Sequence, residues 1–264
     1  MKFKIILVLS INLFCFFPIF PLVIGNEYYI YFMIKNVILS RPEGRLEGKY
    51  HQGSNSNAPS ALVLHPHPLH GGTMNNKVVY HTFHTFVQND FSVLRFNFRG
   101  VGKSLGTFDH GHGELIDAAA ALDWLQAKNP EALSYWIAGF SFGAWIAMQL
   151  LMRRPEINGF IAIAPPASSY DFNFLSPCVI PGLIVQGTED NISKEKESRT
   201  LYEKLAEQQN SKVEYASIKG ANHFFVNYEK NLVNIIDQFI KPRIVPPTRP
   251  KKMRRDRKRR LTAT

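Results

Sequence analysis

Cysteine is nearly absent from this chain of 264 residues: only Cys15 and Cys178 occur. Two cysteines cannot build a disulfide framework, and no Cys-x-x-Cys or zinc-finger spacing is present. Compositional extremes are missing too. With 45% hydrophobic and 20% charged residues, 17 Gly and 16 Pro, the chain is not collagen-like, coiled-coil or disordered throughout. No internal repeat is visible. A basic body is also lacking, although the formal net charge is +10. From Lys241 onward there are 11 Lys+Arg against Asp256 alone, which leaves residues 1–240 with 20 side chains of each sign. A nucleic-acid-binding domain with a basic face is therefore not indicated by the body. The length suits one α/β domain or two small ones.

The two ends differ from the middle. Lys2 and Lys4 precede a 20-residue apolar run, Ile5 to Ile24, broken only by Ser10, Asn12, Pro18 and Pro21. It reads as a secretory signal with a small-residue site at Val23–Gly25, as a membrane anchor, or as a start-site extension with translation beginning at Met33. The last is preferred, because the first recognisable fold element follows Met33 and residues 26–32 stay apolar beyond any cleavage site. That reading makes the protein cytoplasmic; the others make it exported or membrane-anchored. At the other end Pro242, Pro246, Pro247 and Pro250 forbid a regular helix, and the block Lys251 to Arg260 follows. Like charges in a run stay solvated. Such a tail attracts RNA or an anionic membrane weakly, but no aromatic is interleaved for base stacking. The expected division is an apolar segment over 1–32, one domain over 33–240 and a basic tail over 241–264.

Within the domain, strand and helix patterns alternate. Asn36–Leu39 and Arg45–Tyr50 read as strands, as do Ser60–His65, Phe91–Phe96, Tyr135–Phe140, Gly159–Ala164, Pro181–Gly187 and Lys212–Ile218. Helical spacing covers Val78–Gln88, Gly143–Arg153 and Lys194–Gln209. Leu115, Ala118, Leu122 and Leu125 mark a further helix, and Phe225, Leu232, Ile236 and Phe239 are expected to line the last one. Apolar strands alternating with helices imply an α/β fold, a mostly parallel sheet covered on both faces.

Ligands in such sheets sit beyond the carboxyl ends of the strands. There, strand Tyr135–Phe140 runs into Gly139-Phe-Ser-Phe-Gly143 and then a helix. Composition alone gives this Gly-x-Ser-x-Gly match about 0.06 times per chain. A serine at a sharp strand-to-helix turn needs small residues two before and two after it. The helix N-terminus behind it favours a developing negative charge. A nucleophilic Ser141 requires a base and an orienting carboxylate, in the order Ser, acid, His. Strand Pro181–Gly187 ends in Thr188-Glu189-Asp190, and the next ends at Asn222-His223. His223 is the sole histidine after Ser141. Asp190 is the preferred acid, with Glu189 as the alternative.

The chain resembles the α/β-hydrolase superfamily of serine hydrolases, in particular the small, lidless bacterial group with a His-Pro-His-Pro…Gly-Gly-Thr-Met loop. The matching stretches are Leu64-His-Pro-His-Pro-Leu-His-Gly-Gly-Thr-Met74, Arg95-Phe-Asn-Phe-Arg-Gly-Val-Gly-Lys-Ser104, the turn around Ser141, and the Asp190 and His223 loops. They cover about residues 35–240. The resemblance implies a serine hydrolase without a large cap domain or a cofactor. It also implies oxyanion donors at the backbone N–H groups of Phe142 and His67. Pro66 has no N–H, so Leu69 and His70 are the alternatives to His67. Only the 16 residues Pro165 to Ile180 separate two strands where many hydrolases insert a cap. An open site walled by Phe142, Tyr170, Phe172 and Phe174 is expected, with a small-molecule acyl ester as substrate and peptide cleavage as the alternative.

Three other signals carry less weight. His65, His67 and His70, and His110 with His112, have spacings that could hold zinc or copper, but Pro66 and Pro68 make the first group an irregular loop without a nearby carboxylate. No metal is expected. Asn97 to Ser104 nearly spells a phosphate loop, with Asn97 where the first glycine belongs; a nucleotide-binding protein is the rival class. A non-catalytic scaffold binding through its tail is the third.

Overall fold

The computed structural model describes residues 22–24, 27–29, 34–41, 43–175 and 177–244. Most of the apolar run and the whole basic block lie outside them. The chain divides into two compact units, residues 1–32 and 33–264. In the first, β1 (Leu22–Ile24) and β2 (Glu27–Tyr29) pair antiparallel. Among the described residues no helix is long and apolar enough to cross a membrane.

The second unit is built on one eight-stranded sheet. Its strands are β3 (Ile34–Arg41), β4 (Gly44–His51), β5 (Ser60–Leu64), β6 (Ser92–Phe96), β7 (Tyr135–Phe140), β8 (Ile157–Ile163), β9 (Gly182–Gly187) and β10 (Val213–Ile218). The order across the sheet is β10-β9-β8-β7-β5-β6-β4-β3. Six strands, β5 to β10, run parallel, and the hairpin β3–β4 joins antiparallel along β6. Every residue of β5, β6 and β9 is buried. Strands covered on both faces read as continuous apolar runs, whereas β4, with one face wetter, alternates.

The helices are α1 (Lys77–Gln88), α2 (His112–Lys128), α3 (Phe142–Leu151), α4 (Glu195–Ala206) and α5 (Glu229–Ile240). The starts of α1 and α2 have a local cause. The Asn76 side chain accepts the Val78 N–H at 2.9 Å and caps α1. The Glu114 carboxylate accepts the N–H groups of Asp109 and Gly111 at 2.9 and 2.7 Å and places negative charge at the α2 N-terminus. α1 packs on α5, tied by Asn89 Nδ2 donating to Asp237 Oδ1 at 2.9 Å. α2 and α3 pack together, and Leu201 and Leu205 of α4 join their core cluster. Burial of Leu232, Ile236, Phe239 and Ile240 holds α5 down, at about 1.5–3 kcal/mol per side chain.

Two boundaries differ from the sequence-based expectation. Phe225 is fully buried but precedes α5, in a turn at φ 53°. Its neighbours' N–H groups, of Phe224 and Val226, donate to Asn222 Oδ1 at 3.1 and 3.2 Å, so a side-chain-closed turn and not a helix presents it to the core. The fold also runs past residue 240. Lys241 pairs with Asp237 at 2.6 Å, and Arg243 pairs with Glu214 and lies 3.9 Å over the Phe239 ring. Lys241–Arg243 is a single 3-10 turn of the domain, not tail.

Candidate active site

After β5 the chain passes to β6 on one side and later to β7 on the other, so the carboxyl ends of β5 and β7 flank the point where ligands enter such sheets. Ser141 sits there, between β7 and α3, at φ 54° and ψ −120°. A non-glycine residue at that φ stores about 1–3 kcal/mol of backbone strain. The surroundings hold it: the Ser141 N–H donates to the Ile163 carbonyl at 2.8 Å, and its own carbonyl accepts from Ala144 at 2.8 Å. Although Ser141 occupies the N-cap, its hydroxyl makes no capping bond. The flanking glycines are required by space. A Cβ on Gly139 would lie 2.1 Å from the Gly143 carbonyl oxygen, and one on Gly143 would lie 2.5 Å from that of His65. Phe142 is the first helical residue, so its N–H has no intrahelical acceptor.

The expected acid and the expected base meet. His223 Nδ1 and Asp190 Oδ2 are 2.7 Å apart, and both side chains are buried. The His223 ring lies 5.0 Å from that of Phe140, the residue before Ser141. Asp190 accepts three more hydrogen bonds, each 2.8 Å: Ile192 and Ser193 N–H on Oδ1, and Gln186 Nε2 on Oδ2. Burial pushes its pKa up, but the His223 hydrogen bond and charge and these backbone N–H groups outweigh it, holding the carboxyl below its ordinary range. An ionised acceptor on Nδ1 fixes the proton there and leaves Nε2 with its lone pair. Glu189, the alternative acid, is exposed. Gln186 was not anticipated from sequence. It donates to Asp190 and to the Ser193 carbonyl, and accepts from Ser198 Oγ at 2.8 Å, bracing the acid loop on β9 and α4. Its signal was a polar residue ending an otherwise apolar strand.

The histidine-rich loop after β5 has a different role for each ring. His65 is fully buried; its Nδ1 lies 2.6 Å from the Pro66 carbonyl, and its Nε2 accepts the Phe98 N–H at 3.0 Å. Both nitrogens are thus committed within the protein, and burial, only partly offset by the Pro66 bond, pushes the pKa down to about 4. His67 organises the following turn. Its Nδ1 accepts from Leu69 N–H at 3.2 Å, and its carbonyl accepts from His70 and Gly72 at 3.1 and 3.0 Å. The N–H groups of Leu69 and His70 are therefore occupied inside the turn. The His67 ring packs 5.0 Å from that of Phe142.

The turn from Asn97 to Ser104 is closed by the chain itself. Glu47 Oε1 accepts from Asn97 Nδ2 at 2.7 Å and from Lys103 N–H at 2.6 Å, while Ser104 Oγ donates to the Asn97 carbonyl at 2.7 Å. Arg99 N–H and guanidinium both bind Asp117, which also pairs with Arg41 at 3.1 Å. Carboxylates fill the place where a phosphate would be cradled, and no helix follows directly; the phosphate-loop expectation is overturned on geometry. Of the four expected wall residues, Phe142 and Phe172 are buried. Tyr170 and Phe172 instead border a cavity of about 680 Å³ between the excursion after β8 and α4.

A mostly parallel sheet with a strained serine between strand and helix, and a His–Asp pair on the two following strand ends, defines a class: the chain belongs to the α/β serine hydrolases. Residues 59–178 match the hydrolase family described as serine aminopeptidase, S33. A protein of Agrobacterium tumefaciens assigned provisionally to the α/β hydrolases is similar, at 49% identity and a TM-score of 0.77 over 81% of this chain and 100% of that one. A Xanthomonas campestris α/β serine hydrolase described as lacking a lid is 30% identical, with a TM-score of 0.72 over 84% of this chain and 100% of its own. An uncharacterised protein of Rickettsia prowazekii (strain Madrid E) is 57% identical over 193 residues, 72% of this chain and 81% of the relative.

Proposed function

We propose that the protein hydrolyses an ester of a small-molecule acyl group through a Ser141–His223–Asp190 triad. The observation that carries this is the 2.7 Å His223–Asp190 contact beside the strained turn at Ser141. Ser141 Oγ attacks the carbonyl carbon and its proton passes to His223 Nε2, while Asp190 keeps the ring in the required tautomer. The N–H groups of Phe142 and His67 receive the oxyanion, each such donor being worth about 3 kcal/mol of the barrier. Collapse expels the alcohol, which takes the proton from His223. Water, deprotonated by the same nitrogen, then cleaves the acyl-enzyme and restores Ser141. The strain at Ser141 and its uncapped hydroxyl support the nucleophile role.

The description of the matched family as a serine aminopeptidase supports a second substrate class, an amide, through the same steps. Fluorophosphonate labelling tests the nucleophile, and a matched pair of nitrophenyl acetate and an aminoacyl nitroanilide tests the class. Labelling of the wild type and not of Ser141→Ala, with turnover of the acetate, is the expected result. Labelling that persists in Ser141→Ala overturns it, and turnover confined to the anilide selects the peptidase.

A further inference from the structure

The cavity between the 165–180 excursion and α4 has no role in the steps above. At about 680 Å³ it falls in the range of small-molecule sites. Its floor is apolar, since Phe172, Leu175, Leu201 and Leu205 are all buried. Glu197, Leu201 and Leu205 follow at four-residue spacing and form one ridge of α4. One oxygen of that ridge, Glu197 Oε2, is buried and without a hydrogen-bond partner. Buried acceptors are almost always satisfied, by protein, water or ligand. The charged groups around it cancel, Lys196 and Lys204 against Asp171 and Glu197, so the lining favours neither an anion nor a cation. One wall of the cavity packs toward the turn that carries Ser141. Tyr170, on its wall, lies 4.3 Å from the Trp145 ring and 5.9 Å from that of Phe142, the residue after Ser141.

We propose that this cavity is a subsite for a neutral apolar group, aliphatic or aromatic, that ends in a hydroxyl donated to Glu197 Oε2. As the far end of an acyl group on Ser141, it specifies the substrate of the ester-hydrolase reading and rests on that reading; as a binding site it stands alone. A hydroxyl satisfies the orphaned oxygen without adding charge, and the apolar floor covers the body of the group. This makes Glu197 a residue that chooses among substrates and takes no part in the acyl transfer.

The test uses a probe pair that differs only in the donor: para-propylphenol and its methyl ether, titrated calorimetrically into the full chain. The phenol is expected to bind about tenfold more tightly than the ether, as one hydrogen bond to a charged group provides. Glu197→Leu is expected to equalise the two, and Leu201→Trp, which crowds the apolar floor, to weaken both. Equal affinities in the wild type, no binding to it, or an unaltered preference in Glu197→Leu overturns the proposal. The acetyl group of nitrophenyl acetate has no hydroxyl to give to Glu197, so both variants should retain its turnover within about twofold. Loss in a variant alone marks a damaged fold, and para-propylphenol is then repeated on Glu197→Gln and Leu201→Phe, where an undiminished affinity in both overturns the proposal. Absence of acetate turnover in the wild type sinks the hydrolase reading and leaves the titration to judge the cavity.

Discussion

Two glycine-rich turns leave adjacent parts of the sheet, and they have opposite fates. The turn at Asn97–Ser104 is filled by Glu47 and by the Asp117 carboxylate, which binds Arg41 and Arg99. The turn at Gly139–Gly143 has no such filler: its serine hydroxyl caps nothing, and the first N–H of α3 has no intrahelical acceptor. Glycines and a strand end make both turns possible. What separates a structural turn from a reactive one is whether the chain supplies its own charges to close it.

The largest effect should come from the open turn. Ser141→Ala is expected to lower ester turnover by about 10³-fold or more while its urea midpoint stays near that of the wild type; a variant retaining a few per cent of activity contradicts the assignment. The closed turn should answer in the other currency. Asp117→Ala leaves Arg41 and Arg99 with only the half-exposed Glu43 as a shared partner, a loss of about 3 kcal/mol in denaturant unfolding. A loss below 1 kcal/mol would mean water reaches those guanidinium groups readily.

His65 links the two turns, since it accepts the Phe98 N–H and its carbonyl lies beneath Gly143. Its folded pKa, about 4, lies below the 6.5 of an unperturbed histidine. Below pH 6.5 the unfolded chain therefore binds a proton that the folded one refuses. Stability falls as pH drops from 6.5 toward 4, by about 3 kcal/mol in all from this residue. Urea midpoints across that window measure the slope, and His65→Asn should reduce it, the remainder coming from His84, which burial and the Arg95 charge also push down to about 4. A smaller change is expected for Gln186→Leu: about a tenfold loss in kcat with little change in KM, because Asp190 loses a brace and the substrate loses nothing. Truncation after Ile244 should leave small-ester turnover and stability unchanged, whereas truncation after Ile240 should cost stability through Arg243, Glu214 and Phe239.

Much of this was legible in the residues. Ser141 and Asp190 each follow a strand with a continuous buried run, and His223, after the mixed strand β10, lies 2.7 Å from Asp190. Period and composition report burial, so they reported the strands well. They do not report which distant carboxylate reaches a turn. Glu47 meets Asn97, and Arg41 meets Asp117, only because β3 and β4 fold back antiparallel along β6. The same blindness hid Gln186, whose partners lie on a loop and a helix. Phe225 was misassigned because an apolar residue in helical phase with Leu232 looks helical, whereas the Asn222 side chain closes the turn that buries it.

The turn at Ser141 also sets how this protein can change. Gly139 and Gly143 have no space for a methyl group, and Phe140 and Phe142 are packed into the interior. Of the five positions, Ser141 alone carries a side chain that the scaffold does not use. A random library over the turn should therefore yield folded variants that differ at one position. Exchange of that oxygen for sulfur, in Ser141→Cys, is a one-atom route to a different chemistry on an unchanged backbone.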